Sequence, residues 1–349
     1  GDGDIIYDHS GNRRHGTIFN ATFELQAPLE DVLGCTDPYA DNFNIYANIE
    51  NGTCAGYPEN GLYGLDFIDN ESSVDLGNNI NPSEGLTVAG WFNLSEDVLP
   101  LSGQRTFVTK VSAEDTKYFL LGSYQNKLSW IVNTGEGSDI ELDYLNGNLT
   151  LSENDLPGGW THIAATFDGQ TMKTYINGSM DSNVVTLDAP ATLMQDSSAG
   201  TYFGDPIGGG GFLNGVVDDV SIWNSALSED AILDLMQSAP EGVQEGLIAN
   251  YRFNSGDGVL VFDHSGNSNH GSITGAQWYE MDLLGCMDPL AENYNPQANI
   301  NDGSCEGYLD SGDYALFFDG QDDYIEIENS EDIHSETISV GAWIKLDNN

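Results

Sequence analysis

The segment Asp8-His9-Ser10-Gly11-Asn12 recurs as Asp263-His264-Ser265-Gly266-Asn267, each copy followed by a second histidine in His15-Gly16 and His270-Gly271. Carboxylate, hydroxyl and amide oxygens beside a glycine, where backbone carbonyls can converge, make the donor set that calcium prefers. The same residues also suit a turn held by its own Asx side chains. Zinc is a weaker reading, because a repeated histidine beside a glycine turn more often serves as a structural hydrogen-bonding group. A second oxygen-rich stretch lies between Cys35 and Cys54 and holds Asp37, Asp41, Asn42, Asn44, Asn48 and Asn51. Its counterpart between Cys286 and Cys305 holds Asp288, Glu292, Asn293, Asn295, Asn299 and Asp302. Either a further calcium sits among these oxygens, on carboxylates such as Asp37, Asp41, Asp288 and Asp302, or a disulfide alone orders each small loop.

The four cysteines are two copies of one pair, with about eighteen residues between the members of each. Pairing within each copy, Cys35 with Cys54 and Cys286 with Cys305, is the economical solution, and each bridge contributes about 3 kcal/mol in the loop-entropy account. Disulfides imply an oxidising, extracellular compartment. Neither pair has a CxxC partner or a histidine at ligand spacing, which disfavours zinc. The net charge of −47 excludes nucleic acid as a partner, since a polyanion is repelled by nearly every face. It suits a protein living in salt or binding divalent cations. No apolar run is long enough to insert directly into a membrane.

The repetition extends beyond these sites. Gly1-Asp2-Gly3 matches Gly256-Asp257-Gly258, the segment 34–57 matches 285–308, and Ala89-Gly90-Trp91 returns as Gly341-Ala342-Trp343. The period is roughly 250 residues, the mark of a tandem array of large units. The chain therefore reads as a segment of something longer, holding one nearly full unit and the first part of the next.

Short β-branched and aromatic runs separated by Gly, Asn and Asp dominate. Strands are expected over 86–94, 106–111, 117–124, 127–133, 160–167, 172–176 and 216–223. Asp168-Gly169 and Asn177-Gly178 mark hairpin turns. A single short helix is expected near Ser228–Met236, with Ser228 as its cap and Glu229 and Asp230 in its first turn. Many strands and one small helix give an all-β sandwich.

Gly85-Leu86-Thr87-Val88-Ala89-Gly90-Trp91-Phe92, then Gly159-Trp160-Thr161-His162-Ile163 through Asp168-Gly169, then Lys173-Thr174-Tyr175-Ile176-Asn177-Gly178, and finally Asp218-Asp219-Val220-Ser221-Ile222-Trp223 resemble the laminin G-like, concanavalin A-like jelly rolls. Leu247 to Phe253, running on to Asp263, looks like the opening of the next such domain. The resemblance implies a tandem of jelly rolls. The first would span 1–238 without its opening strand, a linker 239–245, and the second would begin at 246. Each would carry a disulfide-closed insertion, at 34–57 and 285–308, similar to a Cys-bounded module of large secreted repetitive bacterial proteins. Relatives often hold calcium between the early loop and the late Asp-Asp strand. Carried over, this implies Asp8, Asn12 and one of Asp218 or Asp219 as ligands, with Asp263 and Asn267 in the second unit.

Glycosidases also use this fold, with carboxylates alternating along one strand. The run Glu136, Asp139, Glu141, Asp143 does not match their spacing, so a non-enzymatic role is expected. Trp91, Trp130, Trp160 and Trp223 read as packing groups. The function implied is a structural or adhesive repeat of a long extracellular or surface-anchored protein. Its partners would be neighbouring repeats or copies of itself, and surface glycans. A calcium-dependent carbohydrate-binding module is the alternative. At the junctions, the opening strand of one unit could complete the sheet of a neighbour by strand addition.

Overall fold

The computed structural model describes residues 4–6, 14–21, 31–94, 104–125, 127–135, 142–150, 159–204, 211–296, 298–309, 315–319, 321–326, 341–342 and 344–346. Among these the regular secondary structure is nearly all β-strand, with one helix over Glu229–Leu235. The long strands lie where alternation and turn chemistry put them: Leu86–Leu94, Gln104–Val111, Lys117–Tyr124, Lys127–Asn133, Thr161–Phe167, Thr171–Ile176 and Gly215–Trp223. Asp168 Oδ1 accepts from the N–H groups of Gln170 (2.9 Å) and Thr171 (2.6 Å), closing one hairpin as an Asx turn. Asn177 and Gly178 take positive φ of 48° and 75°, the geometry of a two-residue hairpin turn whose twist matches its strands.

Two antiparallel sheets stack face to face. One runs in the order Ser179–Met180, Thr171–Ile176, Thr161–Phe167, Leu86–Leu94, Gly215–Trp223, Tyr63–Phe67 and Gln277–Glu280. The other runs Leu142–Thr150, Lys127–Asn133, Lys117–Tyr124, Gln104–Val111, Gly200–Phe203, Ser73–Asp75, Gly271–Thr274 and Leu260–Val261. Their inner faces close a single core that includes Phe67, Val88, Phe92, Phe107, Phe119, Trp130, Phe167 and Tyr251. This is a concanavalin A-like β-sandwich. The strand Leu86–Leu94 is buried along almost its whole length because its outer face is also covered. There the small side chains of Ala89 and Ala164 make room for Ile232 of the helix, whose N–H of Ala231 is capped by Ser228 Oγ at 3.2 Å.

Of the four tryptophans, Trp130 and Trp223 are buried, donating to Thr166 O (3.2 Å) and Ser221 Oγ (3.0 Å). Trp91 and Trp160 are half-buried, and Trp91 meets His162 edge-on at 5.2 Å.

The chain divides into two compact units, Gly1–Leu284 with Gln297–Ile300, and Gly285–Pro296 with Asn301–Asn349. The expected linker 239–245 is not where this division falls. The strand Leu247–Tyr251 pairs with Gly215–Trp223, setting Val220 opposite Tyr251 and Ile222 opposite Ala249. Gln277–Glu280 pairs with Tyr63–Phe67, and Gly271–Thr274 with Ser73–Asp75. Residues that open the second repeat by sequence thus complete the sheets of the first. The physical reason is burial: Leu247, Ala249, Tyr251, Phe253 and Val261 are all packed into that core. The second unit holds the disulfide Cys286–Cys305, as the first holds Cys35–Cys54. Among the described residues no helix is long and apolar enough to cross a membrane.

His162 sits in the core wall, and burial depresses its pKa to about 4. The unfolded chain, titrating near ~6.5, binds more protons between those values, so stability is full above about pH 6.5 and is lost as pH falls towards 4. His162→Gln should flatten this limb, which amounts to roughly 3 kcal/mol in the wild type. Urea melts at about pH 7 and 4.5 check it; an unchanged pH slope in the variant would assign acid sensitivity to other groups.

Candidate functional site

The repeated acid–histidine loop and the disulfide loop, separate in sequence, meet in the first unit. His270 Nε2 lies 2.5 Å from Asp37 Oδ2, which also accepts from Tyr57 OH at 2.8 Å. On its other side, His270 Nδ1 accepts from the Asp263 N–H at 2.9 Å. This pattern fits the neutral imidazole carrying its proton on Nε2. Burial alone would raise the Asp37 carboxyl. Bonds from Tyr39 N–H, Tyr57 and His270 outweigh it and hold the group below the ordinary carboxylate range. Phe262 stacks on Tyr57 with ring centres 5.6 Å apart, and Tyr39, His264 and His270 close around them edge-on. The disulfide Cys35–Cys54 and Ala40 form the floor of this cluster.

Asp263 is turned inward and fully buried. Its carboxylate accepts from Asn250 N–H (2.8 Å), Ser265 N–H (2.9 Å), Ser265 Oγ (2.9 Å) and Asn269 N–H (2.9 Å). Burial raises its pKa and these donors pull it back. Asn267 Nδ2 donates to the carbonyls of Leu247 and Ile248, both at 2.9 Å. These contacts tie the loop to the strand Leu247–Tyr251. Calcium at Asp263 and Asn267 would have to displace donors already in place, so this pair does not fit the ion in the observed arrangement. Asp8 and Asn12 lie outside the described residues, as do Glu136, Asp139 and Glu141.

Asp218 and Asp219 sit at a bulge in Gly215–Trp223, where the pairing register shifts between Asp218 and Ser221. Asp219 adopts a left-handed φ of 46°, as bulged positions often do. Burial, then the neighbouring Asp219 charge, raises Asp218 well above the carboxylate range. Burial pushes Asp219 up to about 6, with Arg252 lowering and Glu59 raising it. Glu59 Oε1 pairs with Arg252 at 2.9 Å. Burial and neighbouring negative charge thus make both carboxyls resist ionisation.

In the disulfide loop the side-chain oxygens are directed at backbone donors. Asn42 bridges Thr53 O (2.6 Å) and Ala55 N–H (2.9 Å), Asn48 Oδ1 takes Val32 N–H (2.7 Å), and Asn51 Oδ1 takes Thr53 N–H (3.2 Å). Asp41 lies beneath Gly56, where an added Cβ would fall 2.6 Å from the Asp41 Cβ. The second unit repeats the scheme. Asn293 bridges Ser304 O (2.7 Å) and Glu306 N–H (2.9 Å), Asp288 Oδ1 takes Leu290 N–H (2.9 Å), and Asp302 Oδ1 takes Ser304 N–H (2.9 Å). Among the described residues, acids, histidines and cysteines converge in threes at Cys35–Glu50–Cys54, whose sulfurs are bonded to each other, and at exposed Asp319–Asp322–Asp323.

The pairing of Asp37 with His270 is absent from the sequence expectations. Its signal was present: Asp37, Tyr57 and His270 recur as Asp288, Tyr308 and His15.

Residues 69–233 match the family described as the concanavalin A-like lectin/glucanases superfamily, in its laminin G-like branch. That stretch contains the strands from Ser73–Asp75 to Gly215–Trp223 and most of the helix, and it defines a laminin G-like domain. Among solved structures, the chain is similar to a Bacteroides ovatus protein whose carbohydrate binding is inferred (17% identity, 66% of this chain and 62% of that one, TM-score 0.47). This chain therefore spans under two thirds of that protein's length. It is also similar to a heptameric SAP-like pentraxin of Limulus polyphemus (15% identity, 49% and 80%, TM-score 0.37). A third likeness is to domains LG4-5 of the mouse laminin alpha1 chain (13% identity, 48% and 44%, TM-score 0.35). Comparison with curated protein sequences finds no match.

The Asp37–His270 contact should couple the disulfide loop to the acid–histidine loop. Asp37→Asn and His270→Gln should each cost about 1–3 kcal/mol in denaturant unfolding, and the double variant less than their sum. Strict additivity would mean that the two side chains do not act on each other.

Proposed function

We propose that this chain is a non-enzymatic structural or adhesive repeat segment of a long extracellular or surface-anchored protein, built from laminin G-like jelly rolls in tandem. One observation carries the reading: strands that begin the second sequence repeat, Leu247–Tyr251 and Gly271–Glu280, complete the sheets of the first unit. Consecutive repeats joined in this way share hydrogen bonds and core, so pulling one from the next requires breaking a sheet. The disulfide in each unit and the net charge of −47 support an extracellular setting, where the acidic surface keeps a long array soluble and extended. Mass measurement of the native polypeptide tests this: a chain of many such repeats is expected, and a mature protein of about one unit would overturn it.

A second reading, a calcium-dependent carbohydrate-binding module, has its own support. A shallow groove of about 470 Å³ is lined by Asn79, Asn224, Asn267 and Asn269, amides suited to sugar hydroxyls. Asp218 and Asp219 offer the divalent site. On this reading calcium raises the melting temperature by several degrees, Asp218→Asn removes the shift, and a glycan array gives saturable, chelator-sensitive binding. Calcium-independent melting together with an empty array would eliminate it.

A further inference from the structure

The helix covers only part of the outer face of its sheet, the part around Ala89 and Ala164. Beyond it, the register sets which side chains share that face. Trp91 pairs with Asp218 on one side and His162 on the other. Val216 pairs with Asn93 and Asp66, and Tyr279 pairs with Gly64. Residues directly opposite on neighbouring strands point to the same side, so these groups form one surface. The segment entering Thr161–Phe167 lays Trp160 over it, with Cη2 3.6 Å from where a Cβ on Gly64 would sit. Leu65 pairs with Val217, which puts Gly64 beside Asp218, and Asp66 follows two residues along the same strand. The tip of the Trp160 indole thus lies beside both carboxyl-bearing positions.

These polar groups are not used internally. Among the described residues no hydrogen bond reaches the Asp66 carboxylate, the Asn93 amide or the indole N–H of Trp91 or Trp160. Asp218 accepts only from the Asp219 N–H, at 2.9 Å. His162, 1% exposed, has an Nδ1 without a hydrogen-bond partner. Burial raises the Asp66 carboxyl and no cation offsets it. Arg252, the cation that acts on Asp219, is held by Glu59 and by Pro240 O. A metal ion does not suit the place, because among the described residues no third acid, histidine or cysteine converges with Asp66 and Asp218. An organic cation does suit it. Indole faces attract ammonium and guanidinium groups, and methylene stems lie well along apolar surface. With 56 acids against 9 lysines and arginines, the whole chain also draws positive charge towards itself.

We propose that this surface binds a basic side chain of a partner polypeptide, with its ammonium or guanidinium head between Asp66 and Asp218 and its methylene stem along Trp160 and Trp91. A sugar ring would stack on the same indoles but would leave both carboxylates without a counter-charge. The site lies within the first unit and stands whether or not units form an array or bind calcium.

The test titrates the full chain with a fluorescent pentapeptide carrying one arginine and one lysine, and with its citrulline and acetyl-lysine analogue. Roughly 0.5 M salt shortens the screening length to about 4 Å and removes long-range attraction to the acidic surface. The basic peptide should bind at least about tenfold more tightly than the neutral one, and Asp66→Asn and Trp160→Leu should each weaken it by about fivefold or more. Asp66→Asn replaces a carboxyl that has no partner, so its fold is kept, as an unaltered melting temperature confirms. Asp218 is left in place because it is also a candidate calcium ligand. Glu114→Gln, at an exposed acid in the turn before Lys117–Tyr124 of the other sheet, should leave binding unchanged. Equal binding of the two peptides, or an equal loss in Glu114→Gln, would overturn the proposal. So would tighter, Asp66-dependent binding of a glucosamine tetramer, which would make the occupant a cationic glycan.

Discussion

The strand Gly215–Trp223 cannot offer one straight edge to one straight partner, because it bulges at Asp218–Asp219. Its early half pairs with Tyr63–Phe67 and its late half with Leu247–Tyr251. An unpaired half would leave backbone donors and acceptors exposed at the middle of a sheet and the core open beside Val220 and Ile222. Filling that half requires a strand that is apolar on its inward face and has a chain long enough to continue into the other sheet. Leu247–Tyr251 meets both conditions, since the chain beyond it reaches Leu260–Val261 and Gly271–Thr274. Completion of the sandwich, and with it the link between sequence repeats, follows from how one bulged edge is shared.

The same constraint explains the acid–histidine loop. It closes the hairpin between Leu260–Val261 and Gly271–Thr274 in one sheet, and Asp263 ties that hairpin to Leu247–Tyr251 of the other sheet by gathering N–H groups from Asn250, Ser265 and Asn269. His270 then reaches across to Asp37 and the disulfide loop. The oxygen-rich motif is thus the clasp of the crossing, and the disulfide loop is its abutment. Neutral imidazole, buried carboxylates and stacked rings are what a small buried polar junction needs when every donor must find an acceptor.

Much of this was readable in the residues. Alternating β-branched and aromatic runs locate the long central strands, because such strands are specified by their own inward face. Ser228, Glu229 and Asp230 locate the helix for equally local reasons. Short strands such as Ser73–Asp75 and Leu260–Val261 carry too few residues to show a period; they exist because a neighbour completes them. Composition also could not say whether Asp37 or Asp263 binds a cation or a backbone amide. An oxygen acceptor is the requirement in both cases, and only the direction of the nearest N–H groups distinguishes them.

Repetition makes the choice of partner ambiguous in a way no local signal resolves. Two hairpins share one sequence pattern, so the pattern alone does not say which of them pairs with Ser73–Asp75. Chain connectivity then decides through effective concentration: the hairpin at 260–274 follows the receiver on a continuous strand path through Leu247–Tyr251, and its docking is intramolecular.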